Sequence, residues 1–109
     1  VSSMGVMGGF QQAQGHLQVI SNMVDYGMSP QSALDSNRFS VSIEEDLVYL
    51  EDSFSDQVIS ELKNKVHNID LKDGYERGLF GGGQIINKYK NGILIGGSDP
   101  RKDGQAVSY

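Results

Sequence analysis

The pair Asn91-Gly92 is the most restrictive local signal in this 109-residue chain. Asn followed by Gly best tolerates positive φ at both centres of a type I′ turn, and the pair is flanked by strand-like segments, Gln84 to Lys90 and Ile93 to Ile95. An antiparallel hairpin is therefore expected, and the fold must contain sheet. A second hairpin is expected earlier. Phe39, Val41 and Ile43 alternate with Ser40 and Ser42, the two-residue period of a strand with one buried face. Leu47 to Glu51 resumes as a strand after Glu44-Glu45-Asp46, a solvated turn with no glycine to fix its type.

Helical signals separate these strands. From Gln14 to Tyr26 the apolar positions Leu17, Val19, Ile20, Met23, Val24 and Tyr26 cover more than one helical stripe, which predicts a largely buried helix. Gly27 is placed to end it, and Ser29-Pro30 opens a short helix over about Pro30 to Ser36. Ser55 caps a third helix running to about Val66, with Val58, Ile59, Leu62 and Val66 on one face and Phe54 and Ile59 placed as a hydrophobic staple. With a glycine-containing strand in Val1 to Phe10, the order predicts a mixed, layered α/β (α+β) unit with mainly antiparallel strands. Residues 1–109 read as a single segment without repeats or linkers.

Composition narrows the function classes. The apolar fraction of 38% with 21% charged residues suits a globular core, and no apolar run approaches the roughly 20 residues needed to cross a bilayer. The chain reads as soluble, with no membrane segment. A net charge of −5 disfavours a nucleic-acid partner. Zero cysteines exclude disulfides, thiolate catalysis and cysteine-ligated zinc, and suit either redox compartment. No threonine occurs anywhere, so the chain contains no threonine nucleophile. The opening on Val1 within an apolar stretch suggests an excised segment.

Each chemical motif has a plainer structural alternative. Gly8 and Gly9 precede a helix, where paired amides can hold a developing oxyanion or can simply allow strand and helix to pack closely. Gly81-Gly82-Gly83 lacks the Lys-Ser/Thr of a phosphate loop and reads as a loop entering the sheet. His16 and His67 show no metal-ligand spacing, and the acidic run lacks the alternate oxygen positions of a calcium loop, so neither metal nor cofactor is implied. Gly96 to Gly104 is dense in turn formers, with Asp99 and Arg101 placed to pin it.

In order, the motifs gain specificity. Gly-Val-Met-Gly-Gly-Phe at 5–10 is followed by Gln14-Gly15-His16, Tyr26-Gly27-Met28, Ala33-Leu34-Asp35 and Asn37-Arg38-Phe39. Then come Leu50-Glu51, Phe80-Gly81-Gly82-Gly83-Gln84, and Gly97 to Gly104 through Tyr109. Over nearly the whole chain this succession resembles the C-terminal region of the γ-glutamyltranspeptidases.

The resemblance implies part of an N-terminal-nucleophile hydrolase, a four-layer αββα sandwich built from two subunits of one precursor. This chain would be the C-terminal portion of the small, catalytic subunit, partnered by the large subunit and the remainder of the small one. An N-terminal threonine upstream would attack a γ-glutamyl amide with its own amino group as base, and water or an amino acid or peptide would take the acyl group. Gly8 and Gly9 match the family's oxyanion-holding glycine pair. Ser2-Ser3 does not carry over as the family's carboxylate-binding serine pair, because only Met4 to Met7 separates it from the glycines. Phe10-Gln11-Gln12 replaces the Ser-Arg common after the glycine pair in glutathione-active members, and resembles a branch that includes proteins labelled cephalosporin acylases. Two other classes stand beside this one: a noncatalytic scaffold or binding domain of the same architecture, and a small-molecule binder using the glycine turns.

Overall fold

The computed structural model describes residues 1–65 and 67–108. Val66, expected on the third helix's apolar face, and Tyr109, which closes the family pattern, lie outside the described residues. The chain runs through β1 (Ser2–Met7), a 3₁₀ turn (Gly9–Gln11), α1 (Gln12–Val24), α2 (Pro30–Asp35), β2 (Phe39–Ser42) and β3 (Leu47–Glu51). It continues with α3 (Asp56–Asn64), β4 (Ile69–Lys72), a 3₁₀ stretch (Gly74–Phe80), β5 (Gly82–Lys88) and β6 (Leu94–Ser98). Two three-stranded sheets result, in the orders β1-β5-β6 and β2-β3-β4.

Both expected hairpins form, β2 with β3 and β5 with β6, and β1 adds antiparallel to β5. Glu44-Glu45-Asp46 is an exposed turn as expected, whereas the β5–β6 turn differs from expectation. Gly92 has φ +87 but Asn91 does not have positive φ, and the bonds run from Tyr89 N–H to Ile93 O (2.9 Å) and from Gly92 N–H to Tyr89 O (3.0 Å). This is a three-residue connection with glycine at the bulge position, not a two-residue type I′ turn. In the other hairpin Asp46 takes φ +52, and its carbonyl and carboxylate accept from the Asn68 side-chain amide. Between α3 and the last hairpin, β4 pairs parallel with β3, because α3 carries the chain back to the starting end of that strand.

The core lies between the first sheet and the helices, where Val6, Val19, Ala33, Leu34 and Ile85 cluster and Met4, Met23 and Met28 pack against them. α2 begins as its sequence requires: Pro30 stands in the first turn and the Ser29 hydroxyl accepts from Ser32 N–H. Ser55 caps α3 in the same way. α1 is less buried than expected. Only Gly15 and Val19 are buried within it, and Leu17, Ile20 and Val24 lie exposed along one side. Apolar residues on several stripes report surfaces that can be covered, and within this chain only one of them is. The same holds for β2, where Ser40 is buried while Phe39 and Val41 face outward.

Two glutamines join α1 to the edge of the second sheet. Gln18 accepts from Phe39 N–H (3.0 Å) and donates to Phe39 O (2.9 Å), and Gln14 does the same with Val41 (2.8 and 3.0 Å). Four residues of helix rise about 6 Å and two residues of strand about 6.8 Å, so amides at i and i+4 match strand residues at i and i+2. Each carboxamide supplies the pairing a neighbouring strand would give the β2 edge. Among the described residues no helix is long and apolar enough to cross a membrane.

Candidate functional site

Gly8 and Gly9 occupy the link between β1 and the 3₁₀ turn that runs directly into α1, so they stand at the positive end of a continuous helical stretch. Gly8 has φ 152 and ψ 23, and Gly9 has φ 57, conformations that disfavour a side chain. Both residues are exposed. Gly8 O accepts from Gln11 N–H at 3.0 Å, while among the described residues neither glycine amide donates to another group. Two successive free N–H groups at a helix start can serve an oxygen that acquires negative charge.

The link is supported from behind by backbone. A Cβ on Gly8 would come within 3.1 Å of Gly81 Cα, and one on Gly81 would collide with Met7 O. The expected glycine loop thus enters the sheet as foreseen, with Gly81 (φ 83) as a shelf under Gly8 and with Gly82 and Gly83 inside β5.

Arg38 holds that shelf. Its guanidinium donates through Nη1 to Phe80 O (3.2 Å) and Gly81 O (3.4 Å), and through Nη2 to Leu34 O (3.4 Å), while pairing with Asp99 at 2.6 Å. Asp99 also accepts from Gly83 N–H (2.8 Å) and contacts Arg101 (3.2 Å). Arg101 reaches Glu51 through Nε (2.5 Å) and Nη2 (2.6 Å), and Glu51 accepts further from Arg77 Nε (3.0 Å) and Arg38 N–H (2.9 Å). The side chains of Arg38, Glu51, Asp99 and Arg101 are at most 1% exposed. Five charges, one from β3 and four from the loops and the 3₁₀ stretch beside the two sheets, form one connected group. Asp99 and Arg101 pin the last loop as the sequence suggested, and the same contacts join the sheets.

The environment sets the ionisation of these groups. Burial pushes the Glu51 carboxyl up, but donation from Arg101, Arg77 and the Arg38 backbone outweighs it and holds Glu51 below its usual value. Asp99 is lowered likewise, with burial opposed by the Gly83 and Arg101 amides and by Arg38. Burial, reinforced by repulsion from Arg101, lowers Arg38, whereas Arg101 is raised because its two carboxylates overcome its burial. With each carboxylate held by arginines, this group is built for cohesion rather than proton transfer.

His16 lies beside the glycine turn. Its Nε2 is 3.2 Å from Val6 N and its Nδ1 is 2.7 Å from Gln12 O. Neither His16 nor the Arg38–Glu51 contact was assigned a role from sequence, although both fall within the ordered motifs. Their partners come from distant elements or from backbone, which spacing does not reveal. Among the described residues no group of three or more His, Asp or Glu side chains is arranged to hold a metal ion.

The family model described as gamma-glutamyltranspeptidase matches residues 1–109. The chain is 36% identical over 107 residues to the glutathione hydrolase-like YwrD proenzyme of Bacillus subtilis strain 168, covering 94% of this chain and 20% of that protein. The cephalosporin acylase structure from Bacillus halodurans superimposes with a TM-score of 0.88 at 40% identity, over 97% of this chain and 19% of that one. A mutant gamma-glutamyltranspeptidase from Helicobacter pylori superimposes with a TM-score of 0.80 at 28% identity, over 93% of this chain and 54% of that one. The chain thus spans about a fifth of the length of the curated relatives it matches. Its mixed α/β architecture is part of the N-terminal-nucleophile hydrolase fold.

Proposed function

Because this chain belongs to the gamma-glutamyltranspeptidase family, we propose that it is the C-terminal portion of the catalytic subunit of an amide-cleaving enzyme, in which the Gly8 and Gly9 amides hold the oxyanion. The observation that carries this reading is the pair of N–H groups of exposed residues, without a partner among the described residues, at the start of a helical stretch and fixed by a backbone shelf at Gly81.

The nucleophile comes from outside these residues, since none of them is threonine. In the complete protein, a threonine freed by self-cleavage of a proenzyme attacks the amide carbonyl and its own amino group takes the proton. Negative charge then develops on the former carbonyl oxygen, and the two glycine amides donate to it. Loss of one such donor typically costs about 2.7–4 kcal/mol of transition-state stabilisation. Collapse of the tetrahedral species expels the amine and leaves an acyl-enzyme, which water or an acceptor amine cleaves. The buried charges contribute by holding Gly81, and hence Gly8, in place. The exposed residues Leu17, Ile20 and Val24 of α1 and Phe39 and Val41 of β2 offer surface to the large subunit and the rest of the small one.

The acyl donor is a γ-glutamyl amide or a related side-chain amide. Phe10-Gln11-Gln12 after the glycines, together with the likeness to a cephalosporin acylase, supports including acyl groups other than γ-glutamyl. The test is γ-glutamyl-p-nitroanilide hydrolysis by the complete polypeptide, with intact mass to detect self-cleavage. Release of p-nitroaniline with cleavage supports a γ-glutamyl enzyme. Cleavage without release, but with hydrolysis of a cephalosporin side-chain amide, supports the same mechanism on another acyl group. Absence of both self-cleavage and hydrolysis refutes the reading and favours a noncatalytic relative.

A further inference from the structure

β1 lies at the edge of its sheet, and its pairing with β5 leaves Val6 N–H facing outward. Val1 and Lys88 exchange both backbone bonds, so by alternation Ser3, Gly5 and Met7 pair with β5 whereas Ser2, Met4 and Val6 do not. The opposite residue agrees, because Gly83 directs its N–H and C=O to Asp99 instead of to Val6. The outward Val6 N–H is taken by His16 Nε2 at 3.2 Å, and His16 Nδ1 meets Gln12 O at 2.7 Å. A ring nitrogen facing an N–H must present its lone pair, and one facing a carbonyl must carry the proton, so these partners select the Nδ1–H tautomer. The ring reaches the strand because Gly15 removes the obstacle: a Cβ there would lie 2.9 Å from Val6 Cγ1.

Val6 and Gln12 are the two shoulders of the segment containing Gly8 and Gly9, and one side chain bonds to both. We infer that His16 is a positioning residue for the glycine turn, fixing the distance between the end of β1 and the first turn of α1 and thereby the direction of the two amides. The inference rests on the oxyanion role proposed above. It gives a chemical purpose to Gly15-His16, which the core alone does not require, since His16 is only half-buried.

The experiment uses the complete, self-cleaved protein and the amide substrate that it hydrolyses. Three variants are compared with wild type: Gly8→Ala, which drives a Cβ against Gly81, His16→Ala, which removes both bonds, and His16→Gln, whose amide can still accept from Val6 N–H. Rates are expressed per processed molecule by intact mass, and melting temperatures are recorded for each. For His16→Ala the expected result is a fall in kcat of at least about tenfold with KM changed less than about twofold, because misplaced donors weaken transition-state contacts more than substrate binding. His16→Gln should recover most of that kcat even where its melting temperature matches that of His16→Ala, a rescue that general destabilisation does not give. A loss of kcat in Gly8→Ala with normal kcat in His16→Ala overturns the role of His16 and leaves the oxyanion reading intact. Normal kcat in both overturns the two together. Failure of both His16 variants to mature while Gly8→Ala matures also overturns the inference, since it puts His16 in processing instead of in the turn.

Discussion

Glu51→Gln isolates the buried charge group. The substitution keeps the side chain's shape and one acceptor oxygen but removes the negative charge that accepts from Arg101 twice, from Arg77 and from Arg38 N–H. Glu51 and Asp99 now oppose Arg38, Arg77 and Arg101, an excess of one positive charge in the group; the variant raises it to two. The new amide also turns an N–H₂ toward guanidinium donors. Hydrogen bonds to charged groups are each worth about 1.5–3 kcal/mol but do not add, and removing one partner of a buried pair costs about 3–5 kcal/mol, which is the magnitude expected here. Since Glu51 ends β3 and its partners come from the residue before β2, the 3₁₀ stretch before β5 and the loop after β6, the loss should lower the free energy of local opening. At a factor of ten per 1.4 kcal/mol, backbone amides in Leu47–Glu51 and Gly82–Lys88 should exchange hydrogen about 100- to 4000-fold faster in the complete protein. Hydrogen exchange read by mass spectrometry on peptides from both segments measures this. Acceleration below tenfold in both would refute the argument that Glu51 holds the sheets together.

Other outcomes follow from the same contacts. Glu51 and Asp99 are held below their usual values of 4.5 and 3.8, so the stability they confer is present above those values and is lost as pH falls through them toward the lower folded-state values. Melting temperature should therefore drop steeply in that acid range, with a shallower slope for Glu51→Gln. Gly83→Ala places a Cβ against Leu34 Cδ2 and should lower stability by about 1–3 kcal/mol, checked by thermal melting. Gln18→Ala frees Phe39 N–H on the β2 edge, while Phe39 O keeps the Gln11 side-chain amide as donor; a stability loss of about 1 kcal/mol and increased self-association by size-exclusion chromatography are expected.

Local chemistry was legible where a few neighbouring residues decide it. Ser29-Pro30 and Ser55 cap their helices as read, and Asn91-Gly92 marks a hairpin, but the pair does not specify whether two or three residues close it. That choice belongs to strand register, fixed by Tyr89 pairing with Ile93. β4 went unread as a parallel strand because its four residues acquire that identity only through the α3 crossover. Exposure on α1 and β2 was misjudged because periodicity shows which residues share a face, not whether this chain covers it. The glycine turn was found by its ordered neighbours. Its supports were not, because Arg38, Glu51, Asp99 and Arg101 meet only after two sheets assemble, and His16 acts on backbone groups that carry no sequence signal.

The most direct measurement is a crystal structure of the complete, self-cleaved protein bound to a tetrahedral boronate analogue of the amide substrate that it hydrolyses. A boronate oxygen is expected about 2.7–3.1 Å from the backbone nitrogens of both Gly8 and Gly9, with the turn unchanged. A boronate oxygen held by other donors, with both glycine nitrogens beyond about 3.5 Å, would contradict the assignment.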